Sequence, residues 1–268
     1  RIPHGLRLSG DIEARQGRYS AFLTARGAEG TAVVKGSFDQ RLLSYDAYAD
    51  IRNLNLHHFM PKDSLYHLTA TLQAKGQGTD MFKRSSWLEA TAEVQHLGYE
   101  QLDVDSLTLN GQLRDGHAIA SVTGHNQLIQ GSIQADALLD ALNGKADLSM
   151  TVGTDLQQLD LHALHLVEDP LAIGMCGHID LESNLDDYYD LTAIIGDLYI
   201  KDSIETYRPQ DVDVRLLTRP DTTFVRLQSG DLILNGDANC GYQALLDHML
   251  MLSDTILAQY ENREIDQP

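Results

Sequence analysis

An internal repeat of roughly 100 residues is the feature that most constrains how this chain folds. Three pairs of segments match in composition and spacing. They are 6–12 (LRLSGDI) with 107–113 (LTLNGQL), 34–38 (VKGSF) with 129–133 (IQGSI), and 51–57 (IRNLNLH) with 156–162 (LQQLDLH). About two and a third copies therefore follow one another along the chain, which favours a structure in which each unit contacts mainly its neighbours.

The repeat predicts four parts of the chain. Residues 1–39 form the end of one β repeat unit, 40–143 a second unit and 144–240 a third. Residues 241–268 form a C-terminal helix and a linker to the next unit.

Apolar residues alternate with polar ones throughout the copies, which predicts antiparallel strands with one apolar and one solvated face. Turn residues recur at short intervals, for example in 15–17 (RQG) and 114–116 (RDG). We therefore expect an all-β fold, an elongated, curved antiparallel sheet. Its predicted apolar lining comprises Leu6, Leu8, Ile12, Leu107, Leu109, Leu113, Ile179, Leu181, Leu232 and Leu234.

Five glycines lie inside the predicted strands, where glycine weakens a strand unless the backbone needs it. They are Gly10, Gly36, Gly111, Gly131 and Gly236. We interpret them as sheet-bending positions, because a bend repeated in each unit curves a sheet consistently into a groove or a barrel.

Helical patterns are confined to two segments. A short helix over 137–143 is predicted between two units and ends at Asn143-Gly144. A longer one over about 242–260 has an apolar stripe that includes Leu245, Met249 and Ile256. The second helix is expected to cover the last strands.

Charge and composition exclude several functional classes. The 39 acidic residues outnumber the 20 basic ones, for a formal net charge of −19, so nucleic acid is not expected as a partner. The same charge disfavours lying on an anionic membrane surface. The chain begins at Arg1 without a signal-peptide pattern or a long apolar run, so we expect an excised fragment with its targeting and anchoring segments elsewhere.

No known catalytic or nucleotide-binding motif occurs in the sequence. The most suggestive metal ligands, His57-His58, His162, His165 and His178, lack a workable spacing on strands, and the acidic run 186–190 is expected to be a solvated turn. Cys176 and Cys240 are expected to be buried free thiols, although one disulfide between them stays open. We therefore expect no enzyme activity, metal or cofactor.

The strand form Leu-x-Leu-x-Gly-x-Leu, the unit length and the element Ile51-x-x-Leu54-x-Leu56 followed by Pro61 resemble the C-terminal region of the TamB family. That family, related to AsmA-like proteins, consists of long periplasmic proteins of Gram-negative bacteria with an N-terminal inner-membrane anchor. The resemblance implies a groove-shaped sheet that carries phospholipid acyl chains between the two membranes. It also implies work with an outer-membrane barrel partner on β-strand segments of outer-membrane proteins.

Two hypotheses remain open at this stage. The first is a non-enzymatic periplasmic groove for lipid or for a partner strand. The alternative is a structural or adhesive module of the cell surface, in which two sheets close on each other as a sandwich, since alternating strands fit both architectures.

Overall fold

The fold was determined as a computed structural model, which describes residues 7–28, 30–58, 65–99, 102–142, 145–248 and 251. Strands dominate these residues, as predicted. Their bounds are β1 Arg7–Arg15, β2 Arg18–Gly27, β3 Gly30–Asp39, β4 Ser44–Asn55, β5 Leu65–Gln77, β6 Trp87–Tyr99, β7 Leu102–Arg114, β8 His117–His125, β9 Ile129–Leu142, β10 Lys145–Asp160, β11 Ala172–Ser183, β12 Tyr189–Lys201, β13 Thr206–Tyr207, β14 Val212–Arg219, β15 Thr222–Ser229 and β16 Leu232–Ala238.

All sixteen strands belong to one open antiparallel sheet, elongated and curved. Fifteen of them follow each other in chain order from β1 to β16, while the short β13 pairs with the end of β12. At about 4.8 Å between strands, this path measures roughly 67 Å. The closed sandwich would need a second sheet, and the strands that the structure describes form only this one.

Tight hairpins fix the register of the sheet. Gln16 and Gly17 join β1 to β2 with φ of 49° and 80°, and Asp115 and Gly116 join β7 to β8 with φ of 54° and 79°. Two consecutive positive φ angles match the twist of the flanking strands, so a two-residue turn suffices. Both predicted turns are confirmed.

The sequence repeat corresponds to six strands. The matched segments fall on β1, β3 and β4 in one copy and on β7, β9 and β10 in the next. Irregularities recur with it. The register of β4 with β5 shifts between Ile51 and Leu54, and that of β10 with β11 shifts between Leu156 and Leu159. The predicted unit boundaries fall between strands, and the sheet continues across them.

The helix predicted over 137–143 is wrong, because β9 extends from Ile129 to Leu142. Ala137 lies opposite Met150 and Leu139 opposite Leu148, while Leu138 projects to the other face, where it is exposed. Ala and Leu favour a helix locally, but pairing with two neighbouring strands outweighs that preference.

The C-terminal helix begins where predicted and is described over 242–248, with residue 251 also helical; Met249 and Ile256 lie outside the described residues. We name this helix α1. The backbone N–H of Tyr242 donates to the Thr218 hydroxyl, and the Tyr242 ring contacts Tyr189 edge-on at 5.3 Å. The start of α1 thus lies against β12 and β14. No helix within the described residues has the length and apolar character needed to cross a membrane.

Candidate functional site

The register of the strands defines one apolar face across the whole sheet. Residues directly opposite each other on paired strands project to the same face. Followed strand by strand from β1 to β16, one such row reads Ile12, Ala21, Gly36, Ala47, Ala74, Ala90, Gly111, Ala120, Ala135, Val152, Ile179, Ala193, Val214, Leu227 and Leu234. We call this row the floor and its side of the sheet the apolar face.

The predicted lining residues that the structure describes all lie on the apolar face; Leu6 lies outside the described residues. Their exposure depends on position along the sheet. Leu113, in the middle, is 9% exposed, whereas Ile12 on β1 is 74% exposed. Among the described residues, β1 and β16 each pair on one side only, which explains why Leu8, Leu232 and Leu234 are also exposed.

The floor is made of small residues over eight successive strands, from Ala21 on β2 to Ala135 on β9. Larger side chains flank it, including Leu72 and Leu109 on one side and Leu88 and Leu113 on the other. A depression of about 470 Å³ lies over β3 to β7 and is lined mainly by Val34, Ala49, Leu72, Ala92 and Leu109 with the floor residues between them. Residue size thus shapes a trough across the strands.

The five predicted glycines all lie on the apolar face, yet they differ in what they do. Gly131 has a φ of 131°, and a β-carbon there collides with the carbonyl oxygen of Asp155, beside the register shift of β9 and β10. Gly10, with φ of 158°, is equally crowded by Phe22. These two positions need glycine.

Gly36, Gly111 and Gly236 occupy regular strand register with space above them. The nearest atom to a β-carbon at Gly36 is 3.9 Å away, and no atom lies within 4 Å at Gly111 or Gly236. Their backbones do not need glycine, so what distinguishes them is the room that they leave on the apolar face.

The apolar face carries no charged or histidine side chain among the paired residues that the structure describes. Its few polar groups are hydroxyls, and several are satisfied within the protein. Thr218 and Thr223 are buried and share a hydrogen bond of 2.9 Å, and Thr223 also donates to the carbonyl of Cys240. Such a surface can bind apolar groups, but it offers no acid, base or metal ligand.

The histidines considered above contact different partners. His57 stacks on Tyr66, His165 meets the edge of Tyr99, and His178 lies on the polar face 3.1 Å from Asp180. Within the described residues no three His, Cys, Asp or Glu side chains are placed to hold a metal.

The acidic run 186–190 begins in a turn, as predicted, which the Asn184 carboxamide caps by accepting from the backbone N–H groups of Asp186, Asp187 and Tyr188. Both cysteines are free thiols, but Cys176 is exposed rather than buried, because it lies on the polar face of β11.

The sequence prediction missed most of the floor. Segments such as Ala70-x-Leu72-x-Ala74 and Ala90-x-Ala92-x-Val94 alternate as regularly as the predicted strands, but their apolar residues are small. Counting alanine and glycine as members of the apolar period would have found them.

Comparison with known proteins identified no relative of this chain. No family model, curated protein or solved structure matches the chain. The function must therefore be inferred from the sheet itself and from the resemblance of its strands.

Proposed function

We propose that the apolar face is a groove for the acyl chains of phospholipids, in a non-enzymatic segment of a TamB-like envelope protein. The observation that carries this proposal is the uninterrupted, uncharged apolar face of a single open sheet. Four rows about 7 Å apart on fifteen strands about 4.8 Å apart cover roughly 1,400 Å². Ordinary soluble monomers expose apolar patches of only about 300 to 600 Å², so this face calls for an apolar occupant.

Acyl chains fit the chemistry of the face better than other apolar ligands. A hydrocarbon chain needs no hydrogen-bonding partner, and the trough supplies almost none. The small-residue floor extends across eight strands, or roughly 34 Å, whereas one leaflet of a bilayer core measures about 15 Å. A chain can therefore lie across the strands along the floor.

Energetics also suit a carrier. Exposing an acyl chain to water costs about 0.8 kcal/mol for each methylene. Moving the chain from a bilayer onto the apolar face exchanges one apolar environment for another, so most of this cost is avoided. The same balance lets the chain leave again.

The proposed cellular location and partners rest on the resemblance to the TamB family alone. By that resemblance we place the protein in the periplasm, held at the inner membrane by a segment outside residues 1–268 and acting toward an outer-membrane barrel partner. Fractionation of cells that express the full-length protein tests this placement, and recovery in the cytosol contradicts it.

A second candidate function is the handling of outer-membrane protein strands, and it is favoured by the open side of β16. Residues 232–237 are all exposed, and β16 pairs only with β15 among the described residues. An open edge of this kind accepts a further strand through backbone hydrogen bonds. Crosslinking from Asn235→Cys to an added outer-membrane strand peptide tests it, with Asp180→Cys inside the sheet as the control.

The lipid proposal is tested with two matched glycine variants. Gly111 lies on the floor and Gly153 on the polar face, and both have open space where a β-carbon would stand. Gly111→Leu is expected to fill the trough and lower co-purified phospholipid severalfold, measured by mass spectrometry of an organic extract. Gly153→Leu is expected to leave lipid content unchanged.

Circular dichroism of both variants controls for folding. Absence of lipid from the purified wild-type protein and failure to bind an added fluorescent fatty acid would together overturn the proposal. Equal lipid content in the two glycine variants would do so as well.

A further inference from the structure

The negative charge of the chain is distributed very unevenly. Residues 1–128, which contain β1 to β8, have 13 Lys and Arg against 14 Asp and Glu, whereas residues 129–268 have 7 against 25. Nearly all of the net charge of −19 therefore belongs to the second half. Because charges more than about 10 Å apart are largely screened at 0.1 M salt, the potential at each surface of the first half depends mainly on the charges close to it.

Three successive turns of the first half lie side by side at one end of the strands. They are 16–17 between β1 and β2, 40–43 between β3 and β4, and 78–86 between β5 and β6. The backbone N–H of Gln40 donates to the carbonyl of Gly17 at 2.8 Å, and that of Gly78 to the carbonyl of Leu43 at 3.0 Å. We call these linked turns, with the strand ends that flank them, the basic edge.

Large apolar side chains project from the tips of the basic edge. Leu42 is 56% exposed, Leu43 is 42% exposed, and Met81 in the next turn is 55% exposed. Leu43 also has a φ of 51°, a left-handed conformation that leucine rarely adopts. Two adjacent leucines held outward in a tight turn contribute little to packing within the sheet.

Cations and aromatic rings lie at the strand ends next to these turns. A cavity of about 720 Å³ opens at the basic edge and is lined by Arg15, Arg18, Arg41 and Lys75 together with Tyr19, Phe38, Tyr45 and Trp87. Tyr19, Phe38 and Tyr45 also lie opposite one another on the apolar face. This row lies between the floor and the turns, so the basic edge adjoins one end of the apolar face, while Lys75 and Trp87 project from the polar face.

The cations of the basic edge divide into paired and unpaired groups. In the third turn, Lys83 lies 3.7 Å from Asp80 and Arg84 lies 2.9 Å from Asp140. Arg18 lies 2.8 Å from Asp39, and Lys75 lies 2.8 Å from Glu89. Among the described residues, Arg15 and Arg41 are in no ion pair. The remaining acids of the cavity, Glu13 and Asp46, lie within strands rather than in the turns.

We propose that the basic edge docks on the surface of an anionic phospholipid bilayer. Exposed leucine and methionine insert below the headgroups, the arginines lie at the level of the phosphates, and aromatic rings occupy the interface between them. This inference rests on the proposed function for its purpose, because docking here brings the end of the trough to a source of acyl chains. Its test does not depend on lipid in the trough.

The second half offers a matched contrast. Ile204, in the turn after β12, is 91% exposed, but Asp202 and Glu205 flank it. An exposed apolar tip with acidic neighbours is repelled by an anionic surface. The local charge therefore distinguishes the two tips, although both are apolar.

Vesicle flotation tests the proposal with phosphatidylcholine alone and with equal parts of phosphatidylcholine and phosphatidylglycerol. The wild-type chain is expected to float with the anionic vesicles only and to detach at high salt. Both Leu42→Asp with Leu43→Asp and Arg15→Gln with Arg41→Gln are expected to lower binding about tenfold. Ile204→Asp is expected to leave binding unchanged.

Two further readouts separate this proposal from the proposed function. Trp87, the single tryptophan of the chain, lines the cavity, so its emission is expected to shift to shorter wavelength on binding. Gly111→Leu is expected to keep vesicle binding while it loses co-purified lipid, and the edge variants are expected to keep a fluorescent fatty acid added from solution.

Docking by the basic edge is overturned if the wild-type chain fails to float with anionic vesicles. It is overturned equally if neutral vesicles bind as well as anionic ones, or if Ile204→Asp weakens binding as much as the edge variants do.

Discussion

The two halves of the sheet share one alternating strand pattern and differ in the size of their floor residues and in their charge. In β1 to β8 the floor is alanine or glycine at all positions but Ile12, whereas from β10 onward it consists of larger residues at all positions but Ala193. The first half is close to neutral and the second is strongly acidic. Strand alternation therefore maintains the sheet in both halves, although the size of the floor residues and the surface charge differ between them.

Register explains why such variation is tolerated. Floor residues project into open space, so their size changes the trough without crowding a second layer. Polar-face residues lie in water, where most substitutions change stability little. Function can thus diverge between halves without altering the fold, and variants in each half can test where the similarity ends.

The largest effect on stability is expected from substitutions of buried residues on the apolar face, which both halves share. Leu113 on β7 and Ile129 on β9 are both buried on the apolar face, at 9% and 6% exposure. Replacing either by Asp buries a carboxylate without a partner, and we expect a loss of about 3 kcal/mol in the free energy of unfolding. Urea denaturation measures it.

The adjacent residues Gln112 and Gln130 are exposed on the polar face and provide the controls, since Gln112→Asp and Gln130→Asp are expected to change stability by less than about 0.5 kcal/mol. Loss of stability in only one half would show that the halves also differ in packing, which contradicts a common apolar face.

How far the sequence predicts the molecule depends on residue size and on sequence distance. Alternating Leu and Ile located the strands and placed residues such as Leu109 and Leu234 on one face, because period two is a local property. The 137–142 segment was misassigned because Ala-Leu-Leu-Asp-Ala-Leu fits a helix locally, and only pairing with β8 and β10 decides otherwise.

The trough and the basic edge escaped prediction for related reasons. The floor is defined by fourteen strand pairings, none of which is visible in a single segment. A net charge of −19 suggested repulsion from anionic membranes, but that number averages over halves that the fold separates. Leu42 and Met81 lie far apart in sequence and share an edge because β4 pairs with β5 and the N–H of Gly78 donates to the carbonyl of Leu43.

A smaller effect is expected from extending the first-half floor into the second half. Val152 and Ile179 alone separate Ala135 from Ala193 along the row, so Val152→Ala with Ile179→Ala makes the small floor continuous from β2 to β12. We expect a loss of about 2 kcal/mol in stability, because two partly exposed side chains are truncated. More lipid for each protein molecule is expected by native mass spectrometry.

Polar-face truncations on the neighbouring strands provide the comparison, and Ser149→Ala with Thr192→Ala is expected to change neither quantity appreciably. An unchanged lipid ratio in the floor variant, with stability reduced as expected, would show that floor size does not distinguish the halves.

The smallest expected effect concerns two aspartates that cap turns, Asp39 in the first half and Asp202 in the second. A hydrogen bond from Arg18 is the main cause that lowers the pKa of Asp39, and the N–H groups of Leu42 and Arg41 add to it. The pKa of Asp202 is lowered instead by the backbone N–H groups of Glu205 and Ile204. Both depressed pKa values stabilise the fold above the ordinary carboxyl range, and this contribution is lost as pH falls through each folded value.

Arg18→Gln separates the two cases, since it removes the guanidinium but leaves every backbone donor in place. We expect the pKa of Asp39 to rise toward its ordinary value, because its largest stabilising partner is gone, and that of Asp202 to stay where it was. Carboxyl-carbon NMR titration of both side chains measures the difference. The basic edge should then lose order at a higher pH than in the wild-type chain, since Asp39 fixes the turn that holds Leu42 outward. A rise in the pKa of Asp202, or an unchanged pKa of Asp39, would contradict this difference, in which a side chain stabilises the first aspartate and backbone N–H groups the second.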